Sequence, residues 1–172
     1  MGSRTTSYIL RGISTPNTNF SKAFKEDHWF NISGIDVYDP TASSIAILGN
    51  SITDGKGSTT NAQNRWPDFM SEIMNANPEK DPAKKDWTGV LNLGIGNNRI
   101  LSVGLGEPGR IRFDRDILEQ RGLRAVIIFE AINDIGTSKA PDETSRQLIF
   151  VFLIEIGFCP VGQAGLELLT LG

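Results

Sequence analysis

The sequence predicts an α/β domain of three layers built on a parallel central sheet, and three observations carry that expectation. Apolar, β-prone runs recur at 45–48, 90–93 and 125–129. The segments between them place apolar residues at helical spacing or among alternating charges. Each run ends in a loop of Gly, Asn, Ser or Asp. Strands alternating with helices at this spacing favour parallel pairing through right-handed crossovers. We therefore expect parallel strands near 44–49, 89–94 and 125–130.

Composition sets outer bounds. A chain of 172 residues fits one domain with a real core. With 17 basic and 20 acidic residues, the formal charge of -3 gives no electrostatic reason to expect a nucleic-acid or anionic-membrane partner. The single Cys159 excludes an intramolecular disulfide and a multi-cysteine metal site, and it reads as a small apolar residue. No run of about 18 apolar residues exists, so no membrane span is expected. Met1-Gly2-Ser3-Arg4-Thr5-Thr6 lacks the apolar centre of a signal peptide, and the compartment stays unassigned.

In chain order, residues 1–43 form a leader expected to cover one edge of the sheet. Tyr8-Ile9-Leu10 suits a short strand, 22–28 a helical turn or two, and the partial alternation of 29–37 another strand. His28 is the only histidine, and beside aromatic residues it reads first as structural. From Arg65 the spacing predicts a helix with Trp66, Phe69, Met70, Ile73 and Met74 on one core-facing stripe, Pro67 being tolerated in its first turn. Residues 75–86 read as a solvated loop. Residues 110–121, with Ile111, Ile117 and Leu118 among alternating charges, read as an exposed amphipathic helix. Gly94-Ile95-Gly96 is too short and wrongly continued for a dinucleotide fingerprint, which leaves a nucleotide-binding reading weak.

Ile45-Ala46-Ile47-Leu48-Gly49-Asn50-Ser51 is an apolar run that breaks at glycine and delivers a serine into a loop. Small neighbours leave that hydroxyl uncovered, as a nucleophile needs, although a plain turn would use the same residues. In a parallel sheet the loops holding Ser51, Asn97 and Asn133 share one edge, where ligands of open α/β sheets bind.

These residues resemble the SGNH, or GDSL-like, hydrolase family. Gly49-Asn50-Ser51-Ile52-Thr53-Asp54-Gly55 looks like its first block, with Asn50 where the family usually has Asp. Asn92-Leu93-Gly94-Ile95-Gly96-Asn97-Asn98-Arg99 looks like the second, with Asn97 at the glycine whose amide helps form the oxyanion hole. Ala131-Ile132-Asn133-Asp134 looks like the third, with Ala131 in place of the usual Gly. The leader Trp29-Phe30 and Asn64-Arg65-Trp66-Pro67 are similar to bacterial-type members. The resemblance implies a flavodoxin-like three-layer fold and a serine esterase needing no cofactor or metal. Ser51 would be its nucleophile, the Ser51 and Asn97 amides with the Asn133 side chain its oxyanion donors, and a small or acylated-sugar ester its substrate.

The family's late Asp-x-x-His block has no counterpart, since no histidine follows Asn133. From about Phe152 the sequence looks like a translated Alu-type repeat, whereas an ordinary apolar helix over 144–156 with a glycine-rich end is the plainer alternative. The expected organisation is a hydrolase-like domain over 1–148, incomplete at its C-terminus, with an atypical tail over 149–172. Two functions stay open: an esterase, or a catalytically impaired relative that at most binds ligands.

Overall fold

The computed structural model describes residues 4–12, 19–29, 34–76, 87–150 and 167–168. Its centre is a parallel sheet of β3 (Ser43–Gly49), β4 (Thr88–Gly94), β5 (Leu123–Phe129) and the two-residue β6 (Glu167–Leu168), in the order β4-β3-β5-β6. The leader holds β1 (Ser7–Ile9) and β2 (Phe24–Glu26), an antiparallel pair of their own. The three expected parallel strands are present, and β3 lies between the other two. In register, Gly49 stands opposite both Gly94 and Phe129, so three strand ends are level.

Strand alternation sends successive side chains to opposite faces, and each face has its own helices. Ala46, Leu48 and Val126 pack with Ile100, Phe113, Ile117 and Leu148 on one face. These partners come from the segment after β4, from α3 (Gly109–Phe113) with the π-helical turn Asp114–Leu118 that continues it, and from α5 (Pro141–Phe150). Ile45, Ile47 and Ile127 pack with Trp66 and Met70 of α2 (Trp66–Asn75) on the other. The result is the three-layer α/β arrangement, with Ile47 and Leu48 at the centre of the sheet.

Four local expectations are corrected. Residues 22–28 hold β2 in place of a helical turn, because Phe24–Glu26 pairs across to Ser7–Ile9. Residues 34–37 carry no strand. On α2 only Trp66 and Met70 pack on that core cluster, while Phe69, Ile73 and Met74 are exposed, since the edge strand β4 underlies one line of the helix. The segment 110–121 is not an exposed helix throughout: Phe113 and Ile117 are buried, and so is Arg112, only 1% exposed. The 151–166 and 169–172 parts of the tail lie outside the described residues.

Two loops beyond the sheet start with short helices, α1 (Ser51–Asp54) after β3 and α4 (Ile132–Gly136) after β5. α1 lies directly on the strand ends. A Cβ at Gly94 would fall 2.4 Å from the Asp54 amide nitrogen, and one at Gly49 would fall 2.2 Å from Thr53 Oγ1. Glycine is therefore required at both sites. Ala131 enters α4 with φ +79°, a left-handed conformation that costs an L-residue with a Cβ roughly 1–2 kcal/mol. Ala131→Gly relieves that strain and in return frees the unfolded chain. We expect a net gain of about 0.5–1 kcal/mol, hence a thermal midpoint up by about 1–4 °C. An unchanged or lower midpoint in a melting experiment would refute the strain at this position.

Candidate active site

Asn50 begins the site. Fully buried at the end of β3, its Oδ1 accepts from the Ile52 amide at 3.0 Å and its Nδ2 donates to Phe129 O at 3.2 Å. This caps α1 and ties the ends of β3 and β5 together. Ser51 follows as the first residue of α1, half-buried, its carbonyl accepting from the Gly55 and Lys56 amides. Among the described residues no hydrogen bond engages its hydroxyl.

Within β4, Asn92 locks α1 down: its Nδ2 donates to Thr53 O at 2.8 Å and its Oδ1 accepts from the Gly94 amide. Asn97 is exposed with φ +55°. That is a left-handed conformation that glycine takes freely and that Asn tolerates better than most residues. Its amide makes no hydrogen bond among the described residues. After β5, Asn133 lies on α4 and donates from Nδ2 to Asn98 O at 2.8 Å. The carboxyamide nitrogen carries two hydrogens, so one remains for a ligand. The adjacent Asp134 is buried and accepts from the Ile100 and Leu101 amides at 2.9 and 2.8 Å, joining α4 to the segment after β4. Ser51, Asn97 and Asn133 thus stand at one end of three adjacent strands, two to four residues beyond the level Gly49, Gly94 and Phe129.

Residues not singled out from the sequence hold this arrangement together. Asn98 is 0% exposed and every polar group is used: its amide donates to Ile95 O, its Nδ2 to Glu107 O, and its carbonyl takes Asn133. Its Oδ1 accepts from Arg112 Nε at 3.2 Å and Nη2 at 2.9 Å. Arg112 Nη1 also donates to Leu93 O at 2.9 Å and to Asp116 Oδ2 at 3.3 Å, and Nη2 reaches Gly49 O at 3.4 Å. One guanidinium therefore touches the ends of β3 and β4 and the loop beyond β4. Burial lowers the Arg112 pKa, and the hydrogen bond to Asp116 restores part of it.

Glu130, just past β5, faces the same group. Its side chain is 0% exposed, its Oε1 lies 3.7 Å from Arg112 Nη2, and neither oxygen makes a well-formed hydrogen bond. Desolvation pushes its pKa up to about 7; the Arg112 charge and the Ala131 amide pull it down, and Asp134 pushes it further up. At α1, half-burial raises the Asp54 pKa and the nearby charge of His28 lowers it. A pocket of about 260 Å³ is lined by Ile52 of α1 and by Lys56, Ser58, Asn64, Arg65 and Trp66. Among the described residues no cluster of three or more His, Cys, Asp or Glu could hold a metal, and no helix is long and apolar enough to cross a membrane.

Arg112→Met leaves Asn98 Oδ1 and Leu93 O without these donors, and breaking such a buried charged cluster costs about 3–5 kcal/mol. Its thermal midpoint should fall by roughly 6 °C or more; a fall within error would show that the guanidinium is dispensable. For Glu130, folding favours the neutral acid, because its folded-state value lies above the ordinary 4.5. That contribution is present below about 4.5 and lost as pH rises through about 7. The melting temperature of Glu130→Gln minus that of the parent should therefore increase from pH 5 to pH 8, and a flat or falling difference would refute the desolvation.

The sequence profile of the GDSL-like lipase/acylhydrolase family matches residues 47–163, a span containing Ser51, Asn97 and Asn133. Among curated proteins nothing matches the sequence. Among solved structures the chain is similar to a carbohydrate acetylesterase family member from Sinorhizobium meliloti, at 14% identity and a TM-score of 0.49, over 73% of this chain and 60% of that one. The chain thus spans about 60% of the length of that relative. The profile covers more than half of the sequence, and the chain belongs to the GDSL-like lipase/acylhydrolase family.

Proposed function

We propose that the chain is a serine esterase that cleaves small or acylated-sugar esters, with Ser51 as nucleophile. The observation that carries this reading is the level ending of β3, β4 and β5, which gathers Ser51, Asn97 and Asn133 at one end of the sheet. Ser51 Oγ attacks the ester carbonyl and the alcohol leaves, giving an acyl-serine that water then hydrolyses. The oxyanion of each tetrahedral intermediate is held by the Ser51 and Asn97 amides and by the Asn133 hydrogen not given to Asn98. Lys56, Asn64 and Arg65 around the neighbouring pocket support a polar alcohol portion over a long acyl chain.

A second reading, a catalytically impaired relative that binds ligands, is favoured by one sequence fact: His28 is the sole histidine. Without a base at Ser51 the hydroxyl stays protonated, and losing a triad member leaves roughly 10³–10⁴ over water in a well-studied serine protease, far below full activity. As the sole histidine, His28 is the internal candidate for a base, provided the leader brings it within hydrogen-bond reach of Ser51 Oγ.

The test is aryl-acetate hydrolysis and fluorophosphonate labelling by the chain and by Ser51→Ala and His28→Ala. We expect hydrolysis weaker than that of a relative with the full triad by orders of magnitude, and abolished with labelling in Ser51→Ala. Activity or labelling that survives Ser51→Ala would refute the nucleophile. A full-sized rate lost in both variants would identify His28 as the base and refute the impaired reading.

A further inference from the structure

We propose that Glu130 is a positioning residue for the oxyanion loop: its charge pulls on the Arg112 Nη2 that is bonded to Asn98 Oδ1 and so sets the placement of Asn97 and Asn133. The proposal gains a catalytic meaning only if the esterase reading holds. Its structural core stands on three contacts around one nitrogen.

Arg112 Nη2 carries two hydrogens. One goes to Asn98 Oδ1 at 2.9 Å; the other is directed to the long contact with Gly49 O at 3.4 Å and the still longer one with Glu130 Oε1 at 3.7 Å. A neutral Glu130 is a weak rival for that hydrogen. An ionised carboxylate with no well-formed hydrogen bond besides the pull of the Ala131 amide, enclosed in a medium of low dielectric, attracts the guanidinium much more strongly. Moving Nη2 toward it lengthens the pair on Asn98 Oδ1. Asn98 is bonded through its carbonyl to Asn133 Nδ2 and covalently to Asn97, so a shift there reaches two of the three proposed oxyanion donors.

The other charges around Glu130 are accounted for. From α4, Asp134 opposes its ionisation; from α3, Arg112 favours it. From the π-helical turn, Asp116 holds the far side of Arg112, and the exposed Arg115 is bonded to Asp116 and to Glu107. Glu130 is the member of this group with burial and no well-formed hydrogen bond. It is also the one pushed into the neutral range.

The experiment is an NMR pH titration of the full chain from pH 5.5 to 8.5, alongside Glu130→Gln and Glu130→Asp. The expected result is that the Arg112 Nε–H, the Asn97 and Asn98 backbone amides and the Asn133 side-chain amide shift together with one midpoint near 7. All four movements should vanish in Glu130→Gln and return with a displaced midpoint in Glu130→Asp. Amide shifts that persist in Glu130→Gln, or an Arg112 signal that titrates while Asn97 and Asn133 stay fixed, would overturn the proposal. Fluorophosphonate labelling over the same range is the second arm. The ratio of parent to Glu130→Gln rates should fall as pH rises through 7, by less than the roughly 10²-fold loss of a whole oxyanion donor. A constant ratio with titrating amides would overturn the catalytic half. Absence of labelling in every variant would sink the esterase reading while the amides still decide the coupling.

Discussion

The buried guanidinium of Arg112 is the constraint on which the candidate site depends. Parallel strands that stop level leave carbonyls at their carboxyl ends with no further strand to pair, and burying such groups unpaired costs about 1–3 kcal/mol each. A guanidinium offers five donors in a fixed plane, and this one serves Gly49, Leu93 and the Asn98 side chain at once. Burial of the charge is unfavourable in itself. Asp116 at 3.3 Å offsets part of that cost, and Glu130 at 3.7 Å adds to the offset only when it is ionised.

The rest of the scaffold adds short-range constraints to the same three strand ends. α1 sits close enough to the sheet that Gly49 and Gly94 have no room for a side chain, and Asn92 then clips Thr53 O to the end of β4. Asp134 fixes the 100–101 backbone, while Asn133, one residue earlier, fixes Asn98. Ser51 and Asn97 are exceptions among these residues: no hydrogen bond of the described residues engages the hydroxyl of one or the amide of the other. Groups so placed are available to a ligand without breaking a protein contact.

Much of this was legible in the sequence because it is written in runs. The strands show as uninterrupted apolar stretches, since a parallel strand is covered on both faces, and the loops show as small polar residues after them. Arg112 was not legible: in an amphipathic segment an arginine among Asp114, Arg115 and Asp116 has the pattern of a solvated face, and nothing local says that one of these charges points inward. Asn98 was hidden in the same way, as one more polar residue in a polar loop. Phe69 and Ile73 misled in the opposite sense, because helical periodicity marks an apolar stripe without saying how much sheet lies beneath it. The β1–β2 pair depends on a contact 15 or more residues apart, which the charge of 22–28 does not disclose.

As the resemblance aligns them, three positions depart from the family's usual residues, and local geometry bears on each. Asn50 replaces an acid, and its Nδ2 donates to Phe129 O, a bond an ionised carboxylate cannot make because it only accepts. The substitution therefore adds a tie between β3 and β5 while keeping the cap on the Ile52 amide. Asn97 replaces a glycine at φ +55°, where an Asn side chain is tolerated, so the peptide retains its direction. Ala131 replaces a glycine at φ +79° and has no such allowance, so the strain stays in the backbone one residue past the buried Glu130. All three changes touch how the loops are held, and Ser51 and the Asn133 amide are unaltered. The departures thus leave the proposed oxyanion donors formally intact and concentrate the question of activity on the proton acceptor for Ser51.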